Sequence, residues 1–226
     1  MDSRFNIYWE LFSRPQFTNA LKASAIIVSL STITSILVSI LAAHVSNFYR
    51  FKGKNAIIFS TLIMQMAPGI VLLIPIYIML SRLGFAGTHT SIILVFTLFV
   101  APMTTWMIRG YFKDIPFELL EAASIDGLSS FKIIYKIVIP IARPGIIAAA
   151  IFAFLTCWNE LIIPLILSNS ETTMLTMYAG TFVNQYDVDY NGLAAVAVYT
   201  SFPSILMVLV FNKYLISGLT EGAIKG

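Results

Sequence analysis

Very few side chains in this sequence combine a reactive group with an unusual position. Glu160 is the one charged residue inside a predicted apolar span before its end, and Trp158 and Asn159 directly precede it. A carboxylate at the centre of a membrane helix costs roughly 2.5 to 3.5 kcal/mol, so Glu160 needs water or a hydrogen-bond partner. With Gln65, these residues could lie along a permeation path, where an acid and an amide would meet solute hydroxyl groups. The alternative, which we favour, places Glu160 near the outer end of its span, hydrogen-bonded to a neighbouring helix or a partner subunit.

The other candidate residues do not indicate catalysis. His44 and His89 lie on opposite sides of the predicted membrane, and the sequence has no metal-ligand cluster, no nucleophile–base spacing and no Gly-rich Lys-Ser/Thr loop for ATP. Cys157 is the single cysteine and lies in an apolar run, which is typical of a small packing residue. We therefore expect no enzyme activity, no metal and no cofactor bound by this chain.

Composition identifies the surroundings of these residues as lipid. Hydrophobic residues make up 58% of the chain and charged residues 11%, and the mean hydropathy is +0.85, values that a soluble core of 226 residues cannot hide. Five stretches are long enough to cross a bilayer as helices: 23–43, 56–80, 90–108, 145–167 and 193–216. The sequence predicts an all-α membrane protein, in which residues 1–226 form a single domain with a bundle of five transmembrane helices.

Lys and Arg are distributed unequally between alternate connections. Ten of the fourteen lie in residues 44–55, 109–144 and 212–226. Because cytoplasmic loops carry the excess of basic residues, these three segments are predicted to face the cytoplasm. The amino terminus is then outside, with residues 1–22 as an external segment. The carboxyl terminus is inside, with residues 217–226 as a cytoplasmic tail.

The basic segment 109–144 is long enough to have a structure of its own. Pro116 suits the first turn of a helix over 117–126, and Glu118 complements the positive end of the helix dipole. Gly127 is expected to end this helix in a left-handed C-cap, a conformation that costs a residue with a Cβ about 1 to 2 kcal/mol.

A second short helix is predicted after this turn. Ser129 or Ser130 would cap it, and Pro140 would close it. The two helices would form a helix-turn-helix knob suited to contact with a soluble partner. The pattern alone leaves an alternative open, in which this segment is an ordinary amphipathic linker on the bilayer surface.

The knob carries a motif with specific spacing. Glu121-Ala122-Ala123 is followed by three residues, Gly127, nine residues and Ile137-Val138-Ile139-Pro140. This pattern resembles the signature loop of permease subunits in bacterial ABC importers, with Ile139 in place of the usual Leu. The likeness extends over nearly the whole chain. Trp158-Asn159-Glu160 and residues 218–226 are similar to the carbohydrate branch, specifically to the maltose-type second permease.

The resemblance implies an ATP-driven importer of a sugar or oligosaccharide in the bacterial inner membrane. Two permeases, the second a different chain, would join an ATPase dimer that holds ATP and Mg, and an external solute-binding protein would deliver the cargo. Closure of the ATPase dimer would rock the spans between inward-facing and outward-facing states. The resemblance implies ATPase contacts at Glu121, Ala122, Ala123, Asp126, Gly127, Ile137 and Pro140. It implies a second contact, in the tail, at Glu221, Gly222 and Lys225.

Members of this family usually have six spans. This sequence begins at the external segment that follows the first of them. Either a first helix is lost, or it lies outside this sequence.

A stand-alone secondary transporter or channel is the alternative from another class. Such carriers show repeats of corresponding spans and ionisable residues that form a path for a coupling ion. Five predicted spans with a single intramembrane acid offer neither feature, so the ATP-driven importer is preferred.

Overall fold

The computed structural model describes residues 3–66, 68–183 and 188–223. Over these residues the chain folds into helices joined by turns, and one isolated antiparallel bridge links Val183 and Val188, which confirms the all-α prediction. The helices are α1 (Ser3–Ser13), α2 (Pro15–Phe48), α3 (Lys54–Met66), α4 (Gly69–Arg82), α5 (His89–Phe112), α6 (Phe117–Ile125), α7 (Ser130–Ile133), α8 (Ile139–Ile141), α9 (Arg143–Asn159), α10 (Ile162–Leu167), α11 (Leu175–Ala179) and α12 (Tyr190–Ala223). A π-helical turn (Ile134–Val138) joins α7 to α8, and a 3-10 turn (Gly180–Phe182) follows α11.

Three of the described helices are long and apolar enough to cross a membrane. They are α2, α5 and the Tyr190–Phe211 part of α12, and they contain most or all of the first, third and fifth stretches predicted from hydropathy. Helix α2 begins at Pro15, whose fixed φ and missing N–H suit a first helical turn. Pro102 and Pro203 lie inside α5 and α12 without ending them.

The second predicted stretch, 56–80, is not one continuous helix. Helix α3 ends at Met66 and α4 begins at Gly69, with Pro68 in an extended conformation at φ −58° and ψ 112° between them. A proline lacks the N–H that would continue the helical ladder, and its ring disfavours the helical conformation of the preceding residue. Pro75, by contrast, is accommodated within α4.

The fourth predicted stretch, 145–167, is also interrupted. Helix α9 ends at Asn159, and α10 begins three residues later at Ile162. Before α9, the helical segment Ser130–Ile141 meets it at a bend of 83°. Since two of the five predicted stretches are broken helices, the count of five transmembrane helices stays a prediction.

The chain forms two compact units, each assembled from discontinuous parts. The first draws on Met1–Ser31, Pro68–Phe96 and Phe154–Val210, and the second on Thr32–Ala67, Thr97–Ala153 and Phe211–Gly226. The predicted knob lies entirely within the second unit.

An aromatic cluster in the first unit fixes the amino-terminal helices. Phe17 is fully buried, and its ring centroid lies 5.3 Å from those of Phe12 and Tyr199. The backbone N–H of Leu175 donates to Ser24 Oγ at 2.7 Å, which satisfies one of the free donors at the start of α11. These contacts hold α1 and the start of α2 against α11 and α12.

Polar contacts in the second unit join the end of α2 to α5. The buried hydroxyl oxygens of Ser39 and Thr104 lie 2.6 Å apart, and Asn47 Nδ2 donates to the carbonyl oxygen of Arg109 at 3.0 Å. Buried hydroxyl and amide groups are costly unless they find partners, so these pairs specify how the two helices meet. The end of α5 is therefore held in place where the knob begins.

Candidate functional site

The first helix of the knob ends as the sequence predicts. Gly127 has φ +81°, the left-handed conformation, and its N–H donates to the carbonyl oxygen of Ser124 at 3.1 Å. The N–H of Leu128 donates to the carbonyl oxygen of Ala123 at 3.0 Å. This pair of bonds is the Schellman motif, which satisfies carbonyl groups that the helix end would otherwise leave free.

The second part of the knob differs from the prediction in how it ends. Ser129 is the extended residue before α7, and Tyr49 Oη donates to Ser130 Oγ at 3.4 Å. Pro140 does not close this segment, because helical turns continue through it to Ile141 and the chain bends afterwards. The π-helical turn Ile134–Val138 precedes the proline, so the missing N–H of Pro140 falls where the α-helical register is already broken.

Apolar contacts anchor the knob to the ends of the long helices. Leu120 and Ala123 of α6 are buried in one cluster with Ile108 and Phe112 of α5. Val138 belongs to the same cluster and is fully buried. A displacement of α6 would therefore be transmitted to the end of α5 through packed side chains and not through a flexible tether.

The opposite side of the knob is exposed and unusually apolar. Ile125 is 86% exposed, Phe131 77% and Tyr135 73%. Such exposed apolar groups mark an interaction surface, with a protein or with lipid. The sequence motif did not identify these three residues. Their signal was the presence of bulky apolar side chains in a segment predicted to lie outside the membrane.

The residues of the predicted ATPase contact divide between these two sides. Four are exposed: Glu121, Ala122, Asp126 and Gly127. Ala123 is buried, Ile137 packs against the apolar cluster and Pro140 is exposed at the far end of the knob. Glu121 also lines a groove of about 550 Å³, together with Ser124 of α6 and the buried His44 of α2.

Trp158 and Asn159 are the last residues of α9, and Glu160 directly follows them. The indole Nε1 of Trp158 donates to the carbonyl oxygen of Thr200 at 2.8 Å, and Asn159 Nδ2 donates to the carbonyl oxygen of Leu155 at 2.8 Å. Glu160 Oε1 accepts from the backbone N–H of Ile162 at 2.7 Å. The carboxylate of Glu160 thus caps the first turn of α10, a position that the helix dipole favours for an anion.

Gln65 and the predicted tail residues are the remaining positions. Gln65 belongs to the second compact unit, and its Nε2 donates to the carbonyl oxygen of Phe99 at 3.5 Å. Glu221 and Gly222 lie in the last described turn of α12, and Lys225 lies outside the described residues.

Comparison with known proteins decides the family. The sequence model of one protein family, the inner membrane component of binding-protein-dependent transport systems, matches residues 35–220 of this chain. The chain belongs to this family. The predicted resemblance is therefore confirmed, and this permease is a transport subunit and not an enzyme.

Three relatives show the branch of the family to which the permease is similar. It is 30% identical to the trehalose transport system permease protein SugB of Mycobacterium tuberculosis, over 98% of this chain and 82% of that protein. It is 31% identical to the trehalose/maltose permease protein MalG of Thermococcus litoralis, over 97% of this chain and 80% of that protein. Identity to the arabinooligosaccharides permease protein AraQ of Halalkalibacterium halodurans is 34%, over 97% of this chain and 75% of that protein.

Solved structures share the fold of this permease. A bacterial ABC transporter that imports the acidic polysaccharide alginate matches with a TM-score of 0.80 at 20% identity, over 93% of this chain and 79% of that one. The methionine ABC transporter MetNI matches with a TM-score of 0.65 at 16% identity, over 90% of this chain and 96% of that one.

Proposed function

We propose that this permease imports a sugar or oligosaccharide by coupling ATP hydrolysis in a partner ATPase dimer to alternating access of its own spans. The observation that carries the coupling is the knob, since one side is packed on the end of α5 and the other presents exposed apolar residues. The sugar class is supported by relatives whose names specify trehalose, maltose and arabinooligosaccharides.

In this proposal, α6 docks in a groove of the ATPase. Glu121, Ala122, Asp126 and Gly127 lie on its exposed side, where Ile125 supplies an apolar anchor. Ala123 and Ile137 face the packed side and transmit the motion, and Pro140 ends the contact. A rigid element with two stable arrangements is what such a transmission requires, and the capped α6 supplies the rigidity.

The topology is also a proposal. Five transmembrane helices are oriented with residues 1–22 outside, the segment 109–144 in the cytoplasm as a helix-turn-helix coupling loop and residues 217–226 as a cytoplasmic tail. The excess of Lys and Arg in the segments placed inside supports this orientation. The membrane is the bacterial inner membrane.

The partners follow from the same assembly. They are a second permease of different sequence, an ATPase dimer that binds ATP and Mg, and an external solute-binding protein. Glu221, Gly222 and Lys225 of the tail make a second ATPase contact. The candidate residues of a translocation path are Gln65, Trp158, Asn159 and Glu160. The hydrogen bond that Glu160 accepts from the N–H of Ile162 favours a structural role for this carboxylate.

Reconstitution tests this function against a stand-alone carrier. The permease is placed in liposomes alone or with its ATPase, second permease and binding protein, and uptake of trehalose and maltose is measured with and without ATP. We expect uptake in the complete assembly with ATP and none with the permease alone. Uptake by the permease alone without ATP would establish the carrier instead.

A further inference from the structure

A second groove lies at the end of α2. Its volume is about 420 Å³, and its walls include Leu41 and Val45 of α2 and Phe131 and Ile134 of the knob. Of the described residues that line it, Arg50 alone carries a permanent charge. The site is an apolar slot with one cation, a combination that suits a ligand with a hydrocarbon part and an anionic group.

The cation is free to bind such a group. Lys54 Nζ donates to the carbonyl oxygens of Asn47 and Tyr49, so it caps the end of α2 and is occupied. Arg50 and Lys52 lie in the loop between α2 and α3 and are exposed. Neither makes an ion pair with an acid in the part of the chain that the structure describes. Two neighbouring cations without a counterion favour an anion.

An exposed apolar stripe leads along α2 to this groove. Ile33, Leu37, Leu41 and Val45 recur at every fourth position and are each about half exposed. Residues four apart share one face of a helix. On a membrane helix such a face lies against acyl chains, and here it continues into the groove without a polar interruption.

We propose that this groove binds one anionic phospholipid. Its phosphate lies on Arg50 and Lys52, and an acyl chain runs along Leu41 and Val45 beneath Phe131. The proposal rests on the orientation given above, which places this end of α2 at the cytoplasmic surface, where anionic headgroups attract basic side chains. Because Phe131 belongs to the knob, the lipid contacts the same element that couples the permease to its ATPase.

The test uses the complete transporter complex, purified in detergent and titrated with dioleoyl phosphatidylglycerol or dioleoyl phosphatidylcholine, with bound lipid counted by native mass spectrometry. Arg50→Gln should weaken phosphatidylglycerol binding about fivefold, and the Arg50→Gln/Lys52→Gln pair about 25-fold, since one basic side chain contributes about 1 kcal/mol near an anionic surface. Lys113→Gln is the matched control, because Lys113 is exposed on the same predicted side and does not line the groove. This control should bind phosphatidylglycerol as the unmodified complex does.

A filling variant tests the apolar half of the site. Val45→Trp should displace the acyl chain and weaken phosphatidylglycerol binding even though both cations remain. The proposal would be overturned if Val45→Trp bound phosphatidylglycerol as tightly as the unmodified complex, or if Lys113→Gln lost as much phosphatidylglycerol binding as Arg50→Gln. It would also be overturned if the complex bound phosphatidylcholine as tightly as phosphatidylglycerol. A cross-link from Val45→Cys to the ATPase would overturn it as well, since the groove would then be a protein contact. Each preparation is also assayed for bound ATPase, so that failure of the lipid site is distinguished from failure of the proposed transport function.

Discussion

The substitution Gly127→Val tests the role of the knob most directly. Gly127 has φ +81°, and a Cβ built at this position meets no other atom within 4 Å. The substitution therefore introduces backbone strain without a steric clash. Its effect should be confined to the turn that ends α6.

The magnitude follows from the left-handed conformation. A residue with a Cβ costs roughly 1 to 2 kcal/mol there, and the β-branch of valine places the cost at the upper end. A penalty of this size reduces the population of the capped turn by about 5- to 30-fold relative to other arrangements. If the ATPase binds only the capped turn, its apparent affinity falls by the same factor. Asparagine tolerates this conformation better, so Gly127→Asn should lose less.

The assay is co-purification of the ATPase with the tagged permease, at several ATPase concentrations. Gly84→Val is a matched control. Gly84 ends α4 in the same bonding pattern, with φ +74° and no atom within 4 Å of a built Cβ. Both variants should lower the unfolding temperature of the permease to a similar extent, but Gly127→Val alone should lose the ATPase.

Two results would refute this reasoning. In the first, Gly127→Val retains the ATPase with unchanged affinity, which would mean that the geometry of the turn does not matter for docking. In the second, Gly84→Val loses as much ATPase as Gly127→Val, which would assign the loss to general destabilisation of the fold.

Substitutions at three further positions, Ile125, Glu160 and Gly145, probe particular contacts. Ile125→Asp should leave the unfolding temperature nearly unchanged, because Ile125 is 86% exposed. It should weaken ATPase co-purification by up to about 30-fold if Ile125 is an interface anchor worth about 2 kcal/mol. Unchanged co-purification would remove Ile125 from the contact. Glu160→Gln should keep both the hydrogen bond from the Ile162 N–H and sugar uptake, because the amide oxygen can still accept. Glu160→Ala should lower stability by about 1 kcal/mol in thermal unfolding. Loss of uptake at unchanged stability in Glu160→Gln would instead place the charge on the translocation path. Gly145→Ala should destabilise the permease by about 1 to 3 kcal/mol, since its Cβ would clash with the ring of Tyr111. Gly110→Ala, with open space around it, should be close to neutral in the same thermal assay.

The features that follow from local chemistry could be predicted from the sequence. Gly127 marked the end of α6 because few other residues adopt a positive φ without cost, and the structure has φ +81° there. Long apolar runs identified α2, α5 and α12 as candidate spans. The family followed from the spacing of Glu121, Gly127 and Pro140, and the family match over residues 35–220 confirmed it.

The places where a helix breaks or continues within these segments could not be predicted in this way. Hydropathy treats 145–167 as continuous, yet α9 ends at Asn159, where Glu160 turns its carboxylate to the N–H of Ile162 and its carbonyl oxygen accepts from Thr176 Oγ1 at 3.1 Å. Pro140 was expected to close the knob, but the π-helical turn before it allows helical turns to continue to Ile141. In both cases an alternative set of hydrogen bonds compensates for the break or the missing donor.

The sequence by itself determined that the helices lie in lipid, that the turn at Gly127 is left-handed, and which family the chain belongs to. It could do so because transfer free energy and backbone strain are properties of residue types and of their immediate neighbours. Only the tertiary structure decided which side of the knob is available to a partner. Leu120 and Ile125 are both apolar residues of α6, but Leu120 is 6% exposed and Ile125 86%. The difference arises because Leu120 is buried in a cluster that includes Ile108 and Phe112 of α5, and burial is decided by such packing between separate helices.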